Sequence, residues 1–385
     1  MSFLQLPILY AIPAFILVLT VIVFVHEMGH YLVARWNGVA IQTFSIGFGK
    51  ELWGFNDKHG TRWRLSAIPL GGYVRFVGDL NAASMPDPEA EALLPPEERQ
   101  RMFINKNVWQ RMAVVVAGPV ANILFTFLLL YALLLGYGRY TITPVIGEVV
   151  AGGVAAEAGL LAGDLFTSVD GFKVRGFEDV QRLIATSPGR PVTVVVDRAG
   201  EILTFVLTPE IAETTDRFGN AHRVGRIGVG RSVEEGDVRF YRPDPVEGVS
   251  MTIEDMNLIV VRTVAFIGDL FTERRDFRNL GGPVEIAKAS GEIASLGPTA
   301  LIFFIATVSL SIGLFNLLPI PMLDGGHLVF YIAEALRGRP LSPQVQEIGF
   351  RVGFAAIMSL FILVLVTNTI PNTLPRLFSG IMGQG

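Results

Sequence analysis

His26-Glu27-Met28-Gly29-His30 closes an apolar run, Leu6–Val25, and that junction decides the fold. The run carries no Lys, Arg, Asp or Glu. A helix rises about 1.5 Å per residue, so about 20 such residues cross a hydrocarbon layer of about 30 Å. No basic residue precedes the run and no small-residue cleavage site follows it, so a retained span over roughly 6–30 is expected, not a removed leader. Residues four apart on a helix lie about 40° apart around the axis, which puts His26 and His30 on one face. Both imidazoles can then reach one zinc ion, with Glu27 between them placed to act on water there. Ionisable residues at membrane depth cost roughly 2.5–3.5 kcal/mol each on insertion scales and are functional by default. Gly29 leaves the same face slim enough for another segment to approach.

The rest of the chain agrees with a membrane setting. Of 385 residues, 51% are hydrophobic and 17% charged, against roughly 25% charged in an ordinary soluble domain. Mean hydropathy is +0.48. Three further apolar runs, Met112–Gly136, Ala300–Ile320 and Val352–Ile370, are long enough to span. The expectation is a polytopic α-helical membrane protein with four transmembrane helices, near 6–30, 112–136, 300–320 and 352–370. Lys plus Arg total 31 against 35 for Asp plus Glu, so no basic excess points to nucleic acid. With no cysteine, disulfides, Cys-ligated zinc, Fe–S clusters and thiol nucleophiles are excluded.

Basic residues set the orientation. Arg35, Lys50, Lys58, Arg62, Arg64, Arg75, Arg99, Arg101 and Lys106 lie between the first two runs, and Arg337 and Arg339 between the last two. By the positive-inside rule these connections face the cytoplasm, and both termini and the long stretch between the second and third runs lie outside.

That outside stretch holds a small α+β domain. Val145–Val150, Leu165–Val169, Val192–Val196 and Ile202–Leu207 read as strands, and Ala155–Leu160 and Phe177–Ala185 as helices. Asp170-Gly171 and Arg198-Ala-Gly are hairpin signals. Gly225–Val229 reads as a further strand, which extends the domain to 144–230. Beyond it, within 246–298, Val249–Phe271 has apolar residues at three- and four-residue steps but also Glu254, Asp255, Arg262 and Asp269. One stripe of this kind suits an amphipathic helix lying on the bilayer or on the spans. On the inside, 40–80 alternates aromatic and polar residues and reads as strands and hairpins. Met85–Arg101 reads as a solvated acidic loop.

Two His ligands are too few, since catalytic zinc normally takes three protein ligands and a water. Asn316-Leu-Leu-Pro-Ile-Pro-Met-Leu-Asp324-Gly-Gly-His327 ends the third run. Its prolines break the helix, and non-helical backbone at membrane depth is tolerated only where it is buried or lines a wet cavity. Asp324 is the candidate third ligand, with His327 as its rival.

The pentapeptide, the Asn316-x-x-Pro-x-Pro-x-Leu-Asp-Gly stretch and the domain between them resemble the site-2 protease family of intramembrane zinc metalloproteases, in particular the bacterial regulator-of-sigma-E protease type. The resemblance implies one zinc per chain on His26, His30 and Asp324, with Glu27 as general base and Asn316 in contact with substrate. It implies single-span membrane substrates such as an anti-sigma factor, cut after an upstream site-1 protease, in a bacterial inner membrane. The outside domain looks like a single PDZ domain, most plainly over Gly152–Asp164, where the family's best-studied bacterial members carry two. Gly71-Gly72-Tyr73-Val74-Arg75-Phe76 resembles the family's membrane-associated β-hairpin, expected to hold substrate extended by strand addition. Gly118-Pro119-Val-Ala-Asn122 also matches a family pattern. Functional and packing readings compete there, and packing is favoured because glycine and asparagine commonly serve helix contacts in a membrane. A metal transporter would need polar residues along a whole crossing path. A non-catalytic scaffold would not need Glu27 between two histidines.

Overall fold

The computed structural model describes residues 6–79, 94–215, 221–231, 238–271 and 283–364. In chain order its helices are α1 (Leu6–Trp36), α2 (Pro96–Arg99), α3 (Val108–Tyr137), α4 (Val154–Glu157), α5 (Phe177–Ala185), α6 (Pro245–Phe271), α7 (Pro283–Ser295), α8 (Pro298–Asn316), α9 (Asp324–Arg337) and α10 (Pro343–Val364). Two compact units emerge: a membrane unit, Met1–Leu133 with Val249–Gly385, and an inserted unit, Leu134–Gly248.

In the membrane unit three helical stretches are long and apolar enough to cross a bilayer: Ala11–Trp36, Val108–Tyr137 and Pro298–Asn316. The first runs unbroken through the pentapeptide, so His26, Glu27 and His30 are helical. A fourth span was expected over 352–370. Among the described residues α10 does not reach that standard, and 365–370 lie outside them. Of the expected acidic loop, Met85–Arg101, residues 85–93 also lie outside the described residues, and Pro96–Arg99 form the short helix α2.

Lipid is as apolar as a leucine side chain, so helices associate in a membrane by close packing of small residues. At Gly29 an added Cβ would lie 2.2 Å from the Ala117 carbonyl and 2.7 Å from the Ala121 Cβ, which shows how nearly α1 and α3 touch. Deeper in the unit Val18 and Ile22 of α1 pack with Ile305 of α8. At the other end of α1, Tyr31 and Ala34 join Phe44, Val74, Phe76 and Val114 in a second cluster.

Strands β1 (Ile41–Asn56) and β2 (Arg62–Phe76) follow α1. They fold back on themselves: Phe44–Ile46 pairs with Trp63–Leu65 on one side and Gly72–Val74 on the other, and Trp63–Leu65 pairs again with Trp53–Phe55. Gly71–Phe76 is therefore not a hairpin in itself. It is the last, edge segment of β2, and among the described residues its outer side has no strand partner.

The inserted unit contains β3 (Arg139–Ile142), β4 (Ile146–Val149), β5 (Leu165–Val169), β6 (Phe172–Lys173), β7 (Val192–Arg198), β8 (Glu201–Leu207), β9 (Glu210–Thr215), β10 (Ala221–Arg226), β11 (Val229–Arg231) and β12 (Val238–Tyr241). Four of them form an antiparallel sheet in the order β6-β5-β7-β8. Positive φ at both Asp170 and Gly171, and at Ala199 and Gly200, gives the twist that tight hairpins require. On β7, Val192, Val194 and Val196 alternate inward, and α5 buries Val180 and Ile184 four residues apart, all in one core with Phe166 and Leu160. The single strand expected over Gly225–Val229 is divided. Gly228, at φ +75°, turns the chain, so β10 pairs with β9 while β11 pairs with β4.

Candidate metal centre

The centre is assembled from α1, α3 and the first turn of α9. After Asn316 the prolines end α8, and Met322 takes φ +82°, a costly conformation for a residue with a side chain. The chain then re-enters a helix at Asp324. Gly325 and Gly326 fit beneath this turn only because they lack Cβ atoms, which would fall 2.1 Å from the Leu318 carbonyl and 2.4 Å from the Ile320 carbonyl. Asp324 is thereby held in the first turn of α9, where the helix dipole favours a carboxylate.

His26 Nε2 lies 3.1 Å from Asp324 Oδ2, and His30 Nε2 lies 3.5 Å from Asp324 Oδ1. The two Nε2 atoms are 3.2 Å apart. All three side chains are largely buried, and one ligand atom from each falls within 4.8 Å of the others. His30 Nδ1 is 2.8 Å from the Val114 carbonyl oxygen. A carbonyl only accepts, so Nδ1 carries the proton and Nε2 offers its lone pair to the centre. Asp324 Oδ2 is buried and accepts no well-formed hydrogen bond. Converging lone pairs and an orphaned carboxylate oxygen are costly unless a cation lies between them. Two imidazole nitrogens and one carboxylate oxygen are a donor set that suits zinc.

Residues 14–360 match peptidase family M50. The chain belongs to that family. Two relatives, each named "Putative zinc metalloprotease", come from Agrobacterium fabrum and Rhizobium meliloti. The first is 49% identical over 92% of this chain and 93% of its own, the second 45% identical over 91% and 94%. Metalloprotease MmpA of Caulobacter vibrioides is 39% identical over 89% of this chain and 90% of its own. This M50 peptidase is a zinc metalloprotease, and His26, His30 and Asp324 are the residues that could hold the metal.

The other residues singled out from the sequence divide around a cavity of about 330 Å³. Glu27 and Asn316 line it, as do Gly72, Tyr73 and Val74. At Gly72 a Cβ would stand 3.3 Å from the Glu27 Cγ, so the strand edge passes directly beside the acid. Tyr73 also stacks on Phe48 and its hydroxyl accepts from Arg64 Nη2, and Arg75 donates to the Asp79 carbonyl at 2.8 Å and 3.1 Å. For these two residues the backbone is the better candidate for substrate contact. His327 lines the cavity too, but its ring packs 5.1 Å from Phe350 and falls outside the His26–His30–Asp324 group.

Two contributors escaped the sequence reading. The Val114 carbonyl orients His30, and a backbone atom leaves no mark in a sequence. Gly118 was read as helix packing, yet a Cβ there would lie 2.3 Å from His30 Nε2 and 2.9 Å from His26 Cε1. The imidazoles occupy the space its missing side chain leaves. The Gly118-Pro119-x-x-Asn122 pattern was the available signal.

Proposed function

We propose that this zinc metalloprotease hydrolyses peptide bonds within or near the transmembrane segment of single-span membrane proteins. The observation that carries the proposal is the position of Glu27: on a membrane-length helix, between two histidines, beside a strand edge that has no strand partner among the described residues.

When bound, zinc polarises the scissile carbonyl and brings the pKa of water toward about 7. His26, His30 and Asp324 would hold it. Glu27 takes the proton of the attacking water and delivers it to the leaving amine nitrogen, a role usually worth about 10²–10⁴-fold. The carboxamide of Asn316 steadies the substrate backbone or the developing oxyanion. A helical substrate hides its carbonyls in its own hydrogen bonds and must unwind before it is cut. The Gly72–Val74 edge supports an extended segment by strand addition.

On a four-span topology with the basic connections inside, both termini and the inserted unit would lie outside a bacterial inner membrane. We read the inserted unit as a PDZ-like domain that screens substrates, so that only chains already shortened by an upstream site-1 protease, such as a trimmed anti-sigma factor, are admitted. The test is reconstitution of the purified enzyme in liposomes with long and trimmed single-span substrates, with the cut mapped by mass spectrometry. The expected cut lies in the span of the trimmed substrate, and deleting Val145–Leu207 lets the long one be cut. Cleavage confined to water-exposed segments would overturn the intramembrane reading, and unchanged rates after the deletion would overturn the screen.

A further inference from the structure

We infer that Asn122 is a positioning residue for the metal centre, holding His26 through its Nδ1 as the Val114 carbonyl holds His30. This rests on the reading of His26, His30 and Asp324 as ligands. Asn122 lies on α3 and is fully buried. Its backbone carbonyl accepts from Thr126 Oγ1 at 2.9 Å and Ser309 Oγ at 3.3 Å, which ties this turn of α3 to α8. The side chain points the other way. Its Nδ2 is 3.4 Å from His26 Nδ1, and its Oδ1 is buried without a partner. Among the described residues only Asn122 and Asp324 have a buried side-chain polar atom in that condition. A packing asparagine gains little from an unsatisfied carboxamide, whose desolvation costs about 1–3 kcal/mol.

Proton placement supplies the reason. For His26 Nε2 to give its lone pair to zinc, the neutral ring must carry its proton on Nδ1. An Nδ1–H facing Nδ2 would set two donors against each other. A half-turn of the carboxamide exchanges its two atoms and sets Oδ1 where Nδ1–H can donate to it. Metal-bound imidazoles almost always donate their second N–H in this manner, and losing the acceptor typically costs about 10–100-fold in metal affinity. One helix, α3, then fixes both histidines: Val114 holds His30, and Asn122, two turns further on, holds His26. Gly118, between them, makes room for the rings.

The test is zinc affinity of the full-length protein in detergent, read by chelator competition. Three proteins are compared: wild type, Asn122→Leu, which keeps volume without an acceptor, and Asn122→Asp, which restores one. Thermal midpoints are recorded in excess chelator to isolate any effect on packing. The expected result is a loss of about 10–100-fold in Asn122→Leu at an unchanged midpoint, with Asn122→Asp within about threefold of wild type. Wild-type zinc affinity in Asn122→Leu would overturn the inference alone. Equal loss in both variants, each folded, would do the same. A wild type that binds no zinc would overturn the ligand set and the inference together.

Discussion

Each unit buries a carboxylate, and the two are treated in opposite ways. In the inserted unit, buried Asp164 accepts from Arg198 Nε at 2.7 Å, from Arg198 Nη2 at 2.8 Å and from the Leu161 amide at 2.9 Å. Burial pushes its carboxyl up, but these hydrogen bonds more than reverse that and hold it below the usual value. In the membrane unit, Asp324 Oδ2 is left without a hydrogen-bond partner although burial makes this costly. A structural polar group is satisfied by its own chain. A carboxylate that awaits a cation is not.

Three experiments can break or sharpen this contrast, beginning with the largest effect. Glu27→Gln should lower kcat by about 10²–10⁴-fold, because an amide cannot accept the proton that a carboxylate base takes. Rates within about tenfold of wild type would remove Glu27 from the proton path. Next, Gly118→Ala should weaken zinc binding by about 10–100-fold, since the new methyl would displace the imidazoles from their shared approach. Unchanged zinc affinity would mean that the rings have room the structure does not show.

The smallest effect on catalysis belongs to the inserted unit. Because the folded-state pKa of Asp164 is lowered, its contribution to stability is present above the ordinary carboxylate value, about 3.9, and is lost as pH falls through the folded value. The unfolding midpoint of this unit should therefore drop in that acid window. Arg198→Met should lower the midpoint at neutral pH, flatten its acid dependence and leave zinc content unchanged. Scanning calorimetry with metal analysis checks all three, and zinc loss in Arg198→Met would blur the contrast between the units.

Much of this was legible in the sequence, for physical reasons. The i, i+4 histidines could be placed on one helical face because the helical period is fixed. Asp324 stood out because prolines at a span's end force irregular backbone. The alternating valines of β7 and the Asp170-Gly171 turn gave the inserted sheet its register. Other features depend on three-dimensional proximity. The double pairing of Phe44–Ile46 turned the expected Gly71–Phe76 hairpin into a strand edge. The positive φ of Gly228 divided a segment that propensity alone would keep whole. Asn122 had the pattern of a packing residue, and only the geometry of His26 Nδ1 suggests otherwise.

The central claim is that His26, His30 and Asp324 hold one zinc while Glu27 does not. Metal content per chain after dialysis, measured on purified wild type and single variants, tests it most directly. The account predicts one zinc in wild type and in Glu27→Gln, with loss in His26→Ala, His30→Ala and Asp324→Asn. Full zinc in Asp324→Asn together with loss in His327→Ala would contradict it and move the third ligand to His327.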